Sequence, residues 1–178
     1  MRKLFEIRRY YYYKVERVPE FIFLNKEVQI KVVSWENYKD ICECIPNLEP
    51  VFRSFLECGN VGIYGYLEGH LVAYAWSILN KGKTLKKVRG FFPLPGDAAC
   101  VHYCRVLESY RGRKIYQTML ACLYRILYKE VCDIYLDTEV TNIPAQKAIE
   151  KSHGKVQGEL VRVMFFGKTL FIFKRREK

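Results

Sequence analysis

The hydrophobic pattern changes its period once near the middle of the chain, within residues 98–130. Residues 98–107 (AACVHYCRVL) are mostly apolar, aromatic or β-branched and contain no glycine or proline, which predicts a strand. Further on, apolar residues recur with helical spacing at Ile115, Met119, Leu120, Leu123, Ile126 and Leu127. The segment 110–116 between them contains one glycine. The pattern therefore predicts a strand, a short loop and a long helix.

The loop is cationic and opens directly onto the N-terminus of the predicted helix. Arg111, Arg113 and Lys114 supply full positive charges. The first turn of a helix presents N–H groups that lack intrahelical acceptors, and it carries a partial positive charge. Together these groups can hold an anion such as a pyrophosphate. An ordinary turn with a solvated basic loop is the alternative, and these residues alone do not decide between the two.

The remaining elements follow from alternation and turn residues. The predicted strands are 28–33, 61–67, 71–79, 132–140, 155–165 and 168–173. The predicted helices are 34–45, 48–58 and 142–152, with Ser34 and Asn142 as N-caps of the first and last. Residues 81–96 are expected to form a long polar connection. We expect an aromatic, basic arm at 1–27, forming an edge strand or packing on the core, and one domain at 28–178.

Two segments resemble motifs of the GNAT acetyltransferase superfamily. The loop is similar to motif A, Gln/Arg-x-x-Gly-x-Gly/Ala, with Arg111 at the first position and Lys114 and Tyr116 where glycines are usual. Residues 142–151 (NIPAQKAIEK) resemble motif B, and a strand separates the two motifs as in the family. The resemblance implies an α/β fold, with a mixed, strongly twisted sheet of about six or seven strands and about four helices. That sheet splits around its central strand.

The same resemblance implies an acetyl-CoA-dependent N-acetyltransferase that transfers the acetyl group directly to an amine. Acetyl-CoA is then the co-substrate, and no metal is expected. The backbone of residues 104–106 would pair with the pantetheine arm, and residues 112–117 would cradle the pyrophosphate. The cofactor-binding residues implied are Cys104, Arg105, Val106, Arg111, Gly112, Arg113, Lys114, Ile115, Tyr116, Gln117 and Asn142.

His102 is the candidate catalytic base. It matches the place where arylalkylamine N-acetyltransferases, a GNAT family, carry a histidine that contributes to removing the amine proton. Imidazole titrates in a range that suits this task. Strict alternation would place Cys100, His102 and Cys104 on one face of the strand, and Val101, Tyr103 and Arg105 on the other. The alternative is a packed strand histidine with one hydrogen bond.

Two further observations concern the acid for the leaving thiolate and a possible metal site. Many GNAT enzymes carry a tyrosine seven residues after the motif B asparagine as the acid for the leaving thiolate, but Ile149 stands there. The leaving thiolate would then take its proton from a water or from another tyrosine, or it would leave unprotonated. A metal site at Cys100-x-His102-x-Cys104 is not expected, because alternate strand residues lie ~6.6 Å apart along the backbone.

Composition restricts partners and compartment. The chain has 178 residues, a net charge of +11 and seven cysteines, an odd number without repeated spacing that favours reduced thiols in the cytoplasm. No apolar run reaches the ~20 residues of a membrane span, and the N-terminus does not resemble a secretory signal. The charge favours anionic ligands, including an acceptor such as an amino sugar on a nucleotide or polysaccharide precursor.

Two other functions stay open on the sequence alone. A catalytically degenerate GNAT-like domain that binds a ligand or a partner would explain Lys114, Tyr116 and Ile149. RNA binding has only the charge and the tyrosines at 10–13 in its favour, and without an RNA-binding motif nucleic acid is not favoured. The amine acceptor is not identified, and a homodimer is compatible with the sequence.

Overall fold

Ten strands and three α-helices form the part of the chain that the computed structural model describes, residues 4–17, 25–83, 85–88 and 92–175. The strands are β1 Phe5–Val15, β2 Gln29–Val32, β3 Val61–Leu67, β4 His70–Asn80, β5 Leu85–Val88, β6 Phe92–Leu94, β7 Ala98–Val106, β8 Asp133–Glu139, β9 Gly154–Phe165 and β10 Lys168–Arg175. The helices are α1 Glu49–Glu57, α2 Ile115–Leu127 and α3 Ile143–Lys151. Short 3-10 helices cover Tyr38–Glu43, Pro46–Leu48 and Glu108–Tyr110.

Eight strands form one mixed sheet in the order β10-β9-β1-β8-β7-β4-β3-β2. All neighbouring pairs are antiparallel except β7 and β8, which run parallel. The connection from β7 to β8 contains α2, as a crossover between parallel strands requires. Among the described strands, β5 and β6 pair only with each other. The predicted mixed α/β class is therefore observed.

The N-terminal segment is an interior strand of this sheet. β1 pairs with β9 along Phe5–Val15 and with β8 along Tyr10–Lys14. The predicted edge strand is therefore wrong for this part of residues 1–27, because β1 lies between β9 and β8. Tyr13 and Val15 are buried in the core that includes α2, which explains the run of aromatic residues in a basic segment.

Two other local predictions need correction. The helix predicted at 34–45 is a turn followed by the 3-10 helix Tyr38–Glu43. Asn37 Oδ1 accepts a hydrogen bond from the Ser34 N–H (2.8 Å), and Ser34 Oγ accepts one from the Glu36 N–H (3.2 Å), so these cap residues close a turn. The long connection predicted at 81–96 contains the hairpin strands β5 and β6.

The helix predicted from the central periodicity is confirmed. The apolar stripe of α2 is buried against the sheet at Ile115, Met119, Leu120, Leu123 and Leu127. These side chains share one core with Val101 of β7 and Leu136 of β8. The burial fixes the first turn of α2 at the end of the two parallel strands. Within the described residues, no helix has the length and apolar character needed to cross a membrane.

Candidate active site

The two parallel strands β7 and β8 separate partway along their length. Their register runs from Ala98–Asp133 to Val101–Leu136 and ends there. Beyond Val101 the strands border a cleft of about 820 Å³, whose other walls are the loop 110–114 and the first turns of α2 and α3. Because both strands run in the same direction, both following loops and helix N-termini meet at this edge of the sheet.

A β-bulge in β7 shapes the wall of the cleft. Tyr74 of β4 pairs with Arg105, but Trp76 pairs with His102, so Tyr103 and Cys104 together oppose the single residue Ala75. Tyr103 has a φ of +48°, in the left-handed region that few non-glycine residues adopt. The bulge lies where the pairing with β8 has just ended, which lets β7 turn away from β8.

The bulge overturns the predicted division of faces. Cys100 packs in a cluster with Tyr10, Tyr12 and Leu160, as expected for its face. Cys104 instead packs against the core of α2, on the same side as Val101. The extra residue shifts the alternation by one position, so Tyr103 joins His102 beside Phe55.

The loop between β7 and α2 contains two left-handed positions. Gly112 has a φ of +80°, and Lys114, the N-cap of α2, has a φ of +60°. Lys114 thus adopts a conformation that costs a non-glycine residue roughly 1 kcal/mol. The first intrahelical hydrogen bond runs from Thr118 N–H to the Lys114 carbonyl oxygen (3.2 Å). The N–H groups of 115–117 precede it, and by helix geometry they have no acceptor within α2.

We expect Gly112→Ala to destabilise the protein by about 1 kcal/mol, because a Cβ disfavours positive φ even where no atom lies within 4 Å. Gly82→Ala is the matched control, since Gly82 lies outside the left-handed region and its nearest contact would be 3.8 Å away. Chemical denaturation of both variants measures the difference. Equal stabilities would contradict the left-handed geometry of the loop.

Several contacts fix the position of this loop. The Arg111 Nε–H donates to the Val106 carbonyl oxygen at 3.4 Å, and the Arg113 guanidinium lies 5.6 Å from the centre of the Tyr110 ring. Asn25 donates from its side chain to the Arg113 carbonyl oxygen (3.1 Å) and from its backbone to Thr118 Oγ1 (2.9 Å). The loop is therefore anchored to β7, to α2 and to the segment that precedes β2.

The structure gathers most of the predicted site residues around the cleft. Those that line it are His102, Cys104, Arg105, Val106, Arg111, Gly112, Lys114, Ile115, Tyr116, Gln117 and Asn142. Arg113 is not among the lining residues, since its side chain lies over Tyr110. Asn142 also caps α3, where its side-chain oxygen accepts from the Ala145 N–H at 3.3 Å, as predicted for an N-cap.

Tyr116 reaches from α2 into the space between the two strands. Its hydroxyl is within hydrogen-bond reach of Cys104 on β7 and is close to Asp137 on β8. Burial raises the pKa of the Tyr116 phenol well above its ordinary value, and the Cys104 and Asp137 side chains raise it further. The phenol therefore stays protonated throughout the physiological range.

His102 combines features of both sequence hypotheses. Its side chain is only 4% exposed, and its ring lies edge-on to Phe55 with 4.9 Å between ring centres. It nevertheless lines the cleft, next to the bulge. Its burial fits a role in packing and its place at the cleft fits a base, so the catalytic assignment stays a prediction.

Ile149 is built into the core. It is fully buried, and a Cβ added to Gly154 would lie 2.4 Å from Ile149 Cγ2. α3 and β9 therefore approach too closely at this point for a tyrosine ring at position 149 without displacement of the backbone. The acid position of motif B is closed in this chain.

Sequence reasoning missed the β8 side of the cleft. Leu136, Asp137 and Thr138 line it, together with Tyr110 and Ala148. The available signal was the parallel pairing implied by the strand–helix–strand order, which brings the end of β8 beside the end of β7. Local patterns around Asp137 contain no such signal.

The comparisons with known proteins agree with this geometry. A model of the acetyltransferase (GNAT) family matches residues 29–154. The chain belongs to the GNAT family. A comparison with curated protein sequences finds no match.

Solved structures of GNAT proteins share the fold at low sequence identity. A GNAT-family protein from Novosphingobium aromaticivorans is 14% identical with a TM-score of 0.65, and the match covers 96% of this chain and 66% of that one. An acetyltransferase from Colwellia psychrerythraea is 17% identical with a TM-score of 0.65, covering 90% and 56%. The chain thus spans between half and two thirds of the length of these two proteins.

A shorter relative holds a ligand. The aminoglycoside N-acetyltransferase AAC(6')-Iy in complex with CoA is 17% identical with a TM-score of 0.54, covering 70% of this chain and 89% of that one. With these structures the GNAT fold expected from the two motifs is confirmed. At these identities, the likeness concerns the fold alone.

Proposed function

We propose that the protein is an acetyl-CoA-dependent N-acetyltransferase that transfers the acetyl group directly to an amine. One observation carries the proposal. The cationic loop and the α2 N-terminus open onto the same cleft as His102 and the end of β7. Acetyl-CoA has an anionic pyrophosphate and a long pantetheine arm, and a ligand of this kind fits such a cleft. The coenzyme A complex of a structural neighbour supports acetyl-CoA as the ligand.

The pyrophosphate of acetyl-CoA is assigned to the loop between β7 and α2. The N–H groups of 115–117 and the positive end of α2 would hold the pyrophosphate, and the Lys114 ammonium adds a full charge at the rim. The arm would then follow β7 beyond Val101, where the pairing with β8 has ended and the strand edge borders the cleft. The thioester would thereby come close to His102.

The reaction needs few groups. The amine nitrogen attacks the thioester carbonyl carbon, the C–N bond forms, and the C–S bond breaks as the thiolate leaves. His102 accepts the proton that the amine loses, directly or through a water. A backbone N–H of β7 near the bulge stabilises the negative charge that develops on the carbonyl oxygen. The net charge of +11 favours an anionic acceptor, such as an amino sugar on a nucleotide or polysaccharide precursor.

Binding is tested by calorimetry and thermal unfolding with acetyl-CoA at low salt. Acetyl-CoA at 100 times its Kd should stabilise the protein by about 2.7 kcal/mol through ligand linkage, which raises the melting temperature. Pantetheine, which lacks the pyrophosphate, should bind far more weakly. The proposal is overturned if millimolar acetyl-CoA gives neither heat nor a thermal shift.

A binding domain without catalytic activity is the second candidate. The observation that favours it is the closed position at Ile149, where the family's usual acid cannot be accommodated. Release of free thiol, followed across a panel of amines and amino-sugar nucleotides, separates the two. Acetyl-CoA binding without turnover on any acceptor would favour the binding domain.

A further inference from the structure

The departing thiolate carries a negative charge that needs a hydrogen-bond donor, and the chain must supply it from somewhere other than position 149. A charged group that the protein partly removes from water is costly unless a polar group of the protein replaces the lost hydrogen bonds. Ile149 has no proton to give and belongs to the core. Among the described residues, three tyrosines line the cleft, Tyr103, Tyr110 and Tyr116.

Only one of these three phenols lies between the two parallel strands. Tyr103 is displaced by the bulge, is 44% exposed and packs against Phe55. Tyr110 lies at the rim beneath the Arg113 guanidinium. Tyr116 instead has Cys104 on one side and Asp137 on the other.

The hydroxyl of Tyr116 is also close to the proposed thioester. Cys104, within its hydrogen-bond reach, lines the cleft two residues after His102, and its Sγ lies 3.4 Å from the His102 carbonyl oxygen. The pantetheine arm is proposed to follow β7 beyond Val101, so its thioester end passes the strand at residues 102–104. The sulfur then comes next to the Tyr116 hydroxyl.

We infer that Tyr116, at a position where the family usually has glycine or alanine, donates a hydrogen bond to the departing coenzyme A thiolate. This assignment rests on the proposed function. When the C–S bond breaks, the sulfur retains the bonding electron pair as a thiolate, and the hydrogen bond from the phenol stabilises its negative charge. The phenol keeps its proton, the thiolate leaves as an anion, and the proton lost by the amine passes through His102 to water. The raised pKa of the phenol keeps this donor protonated before and during the step.

A binding measurement with coenzyme A and acetyl-CoA tests the assignment without turnover. A phenol that donates a hydrogen bond to the thiolate lowers the pKa of the bound thiol. Coenzyme A should therefore bind more tightly as the pH rises through that lowered pKa, whereas acetyl-CoA has no thiol to ionise. The ratio of the two affinities removes the titration of the phosphates. Cys104 on β7, Asp137 on β8 and Tyr124 on α2 face Tyr116 and are common to both measurements.

In Tyr116→Phe, the rise of this ratio with pH should be about tenfold smaller than in the wild type, the equivalent of one unit in the thiol pKa. Acetyl-CoA affinity should be unchanged, and kcat should fall. Tyr128→Phe is the matched control, because it removes a hydroxyl that follows the far end of the same helix, where it donates to the Val15 carbonyl oxygen (2.7 Å) outside the cleft lining. It should leave the ratio unchanged.

Each outcome decides one claim. Equal ratios in wild type and Tyr116→Phe would overturn the assignment while leaving the proposed function intact. In the wild type alone, a ratio that does not change with pH would overturn it as well, even if the variant failed to fold. Absence of binding by both ligands would overturn the proposed function and the assignment together.

Discussion

Replacing His102 with glutamine should lower kcat/KM by ~10²-fold or more, the usual contribution of a general base. Glutamine is polar and close to imidazole in reach, but it cannot accept the amine proton. Acetyl-CoA affinity should change little, because the base acts on the acceptor and not on the coenzyme. The acidic limb of the pH–rate profile should disappear with the group that titrates there. Steady-state kinetics across pH, with an acceptor found by the amine panel, measures all three.

A packing role predicts the opposite result. His102 is almost fully buried beside Phe55, so a purely structural histidine would lower the melting temperature when replaced, with turnover per folded molecule nearly intact. His70→Gln is the matched control, since the same substitution is made on an exposed residue at the turn between β3 and β4. Wild-type kcat/KM with an unchanged pH profile in His102→Gln would show that another group deprotonates the amine.

The strand, loop and helix of residues 98–130 could be predicted because the sequence patterns that indicate them are local. The apolar stripe that begins at Ile115 and the strand that ends near Val106 each depend on residues close together in the sequence. Both elements are observed. The position of β1 could not be predicted in this way. Its partners β8 and β9 are distant in the sequence, and alternation within Phe5–Val15 does not identify them.

In β7, one extra residue changes which side chains share a face, so strict alternation does not hold along the whole strand. No glycine or proline marks the bulge at Tyr103, so strict alternation was the natural prediction and assigned Cys104 to the wrong side. That error concealed the grouping of Tyr116 with Cys104 and Asp137, which spans α2, β7 and β8. The residues of the loop that line the cleft were predicted more completely, because the anion-binding pattern comes from adjacent residues.

Lys114 is where the chain departs from its family at the most constrained point of the loop. The residue is left-handed at the N-cap of α2, a conformation that glycine adopts without cost. In this chain a long cationic side chain stands there in spite of the strain. Because the side chain lines the cleft, we infer that its charge compensates by pairing with a phosphate.

Lys114→Glu should weaken acetyl-CoA binding by ~10²-fold at low salt. The substitution removes one charge-assisted contact and adds a repulsion, each of about 1.5 kcal/mol, and 1.4 kcal/mol corresponds to a tenfold change in affinity. The effect should shrink as salt is added, because the residue is exposed and its charge is screened. Lys114→Gly should bind as well as the wild type or better, since glycine lets the backbone approach the phosphates without strain. Lys129→Glu is the control: the same charge reversal just beyond the opposite end of α2, ~20 Å away, should leave the affinity nearly unchanged. If Lys114→Glu binds acetyl-CoA like the wild type, this loop does not hold the pyrophosphate, whatever the fold it belongs to.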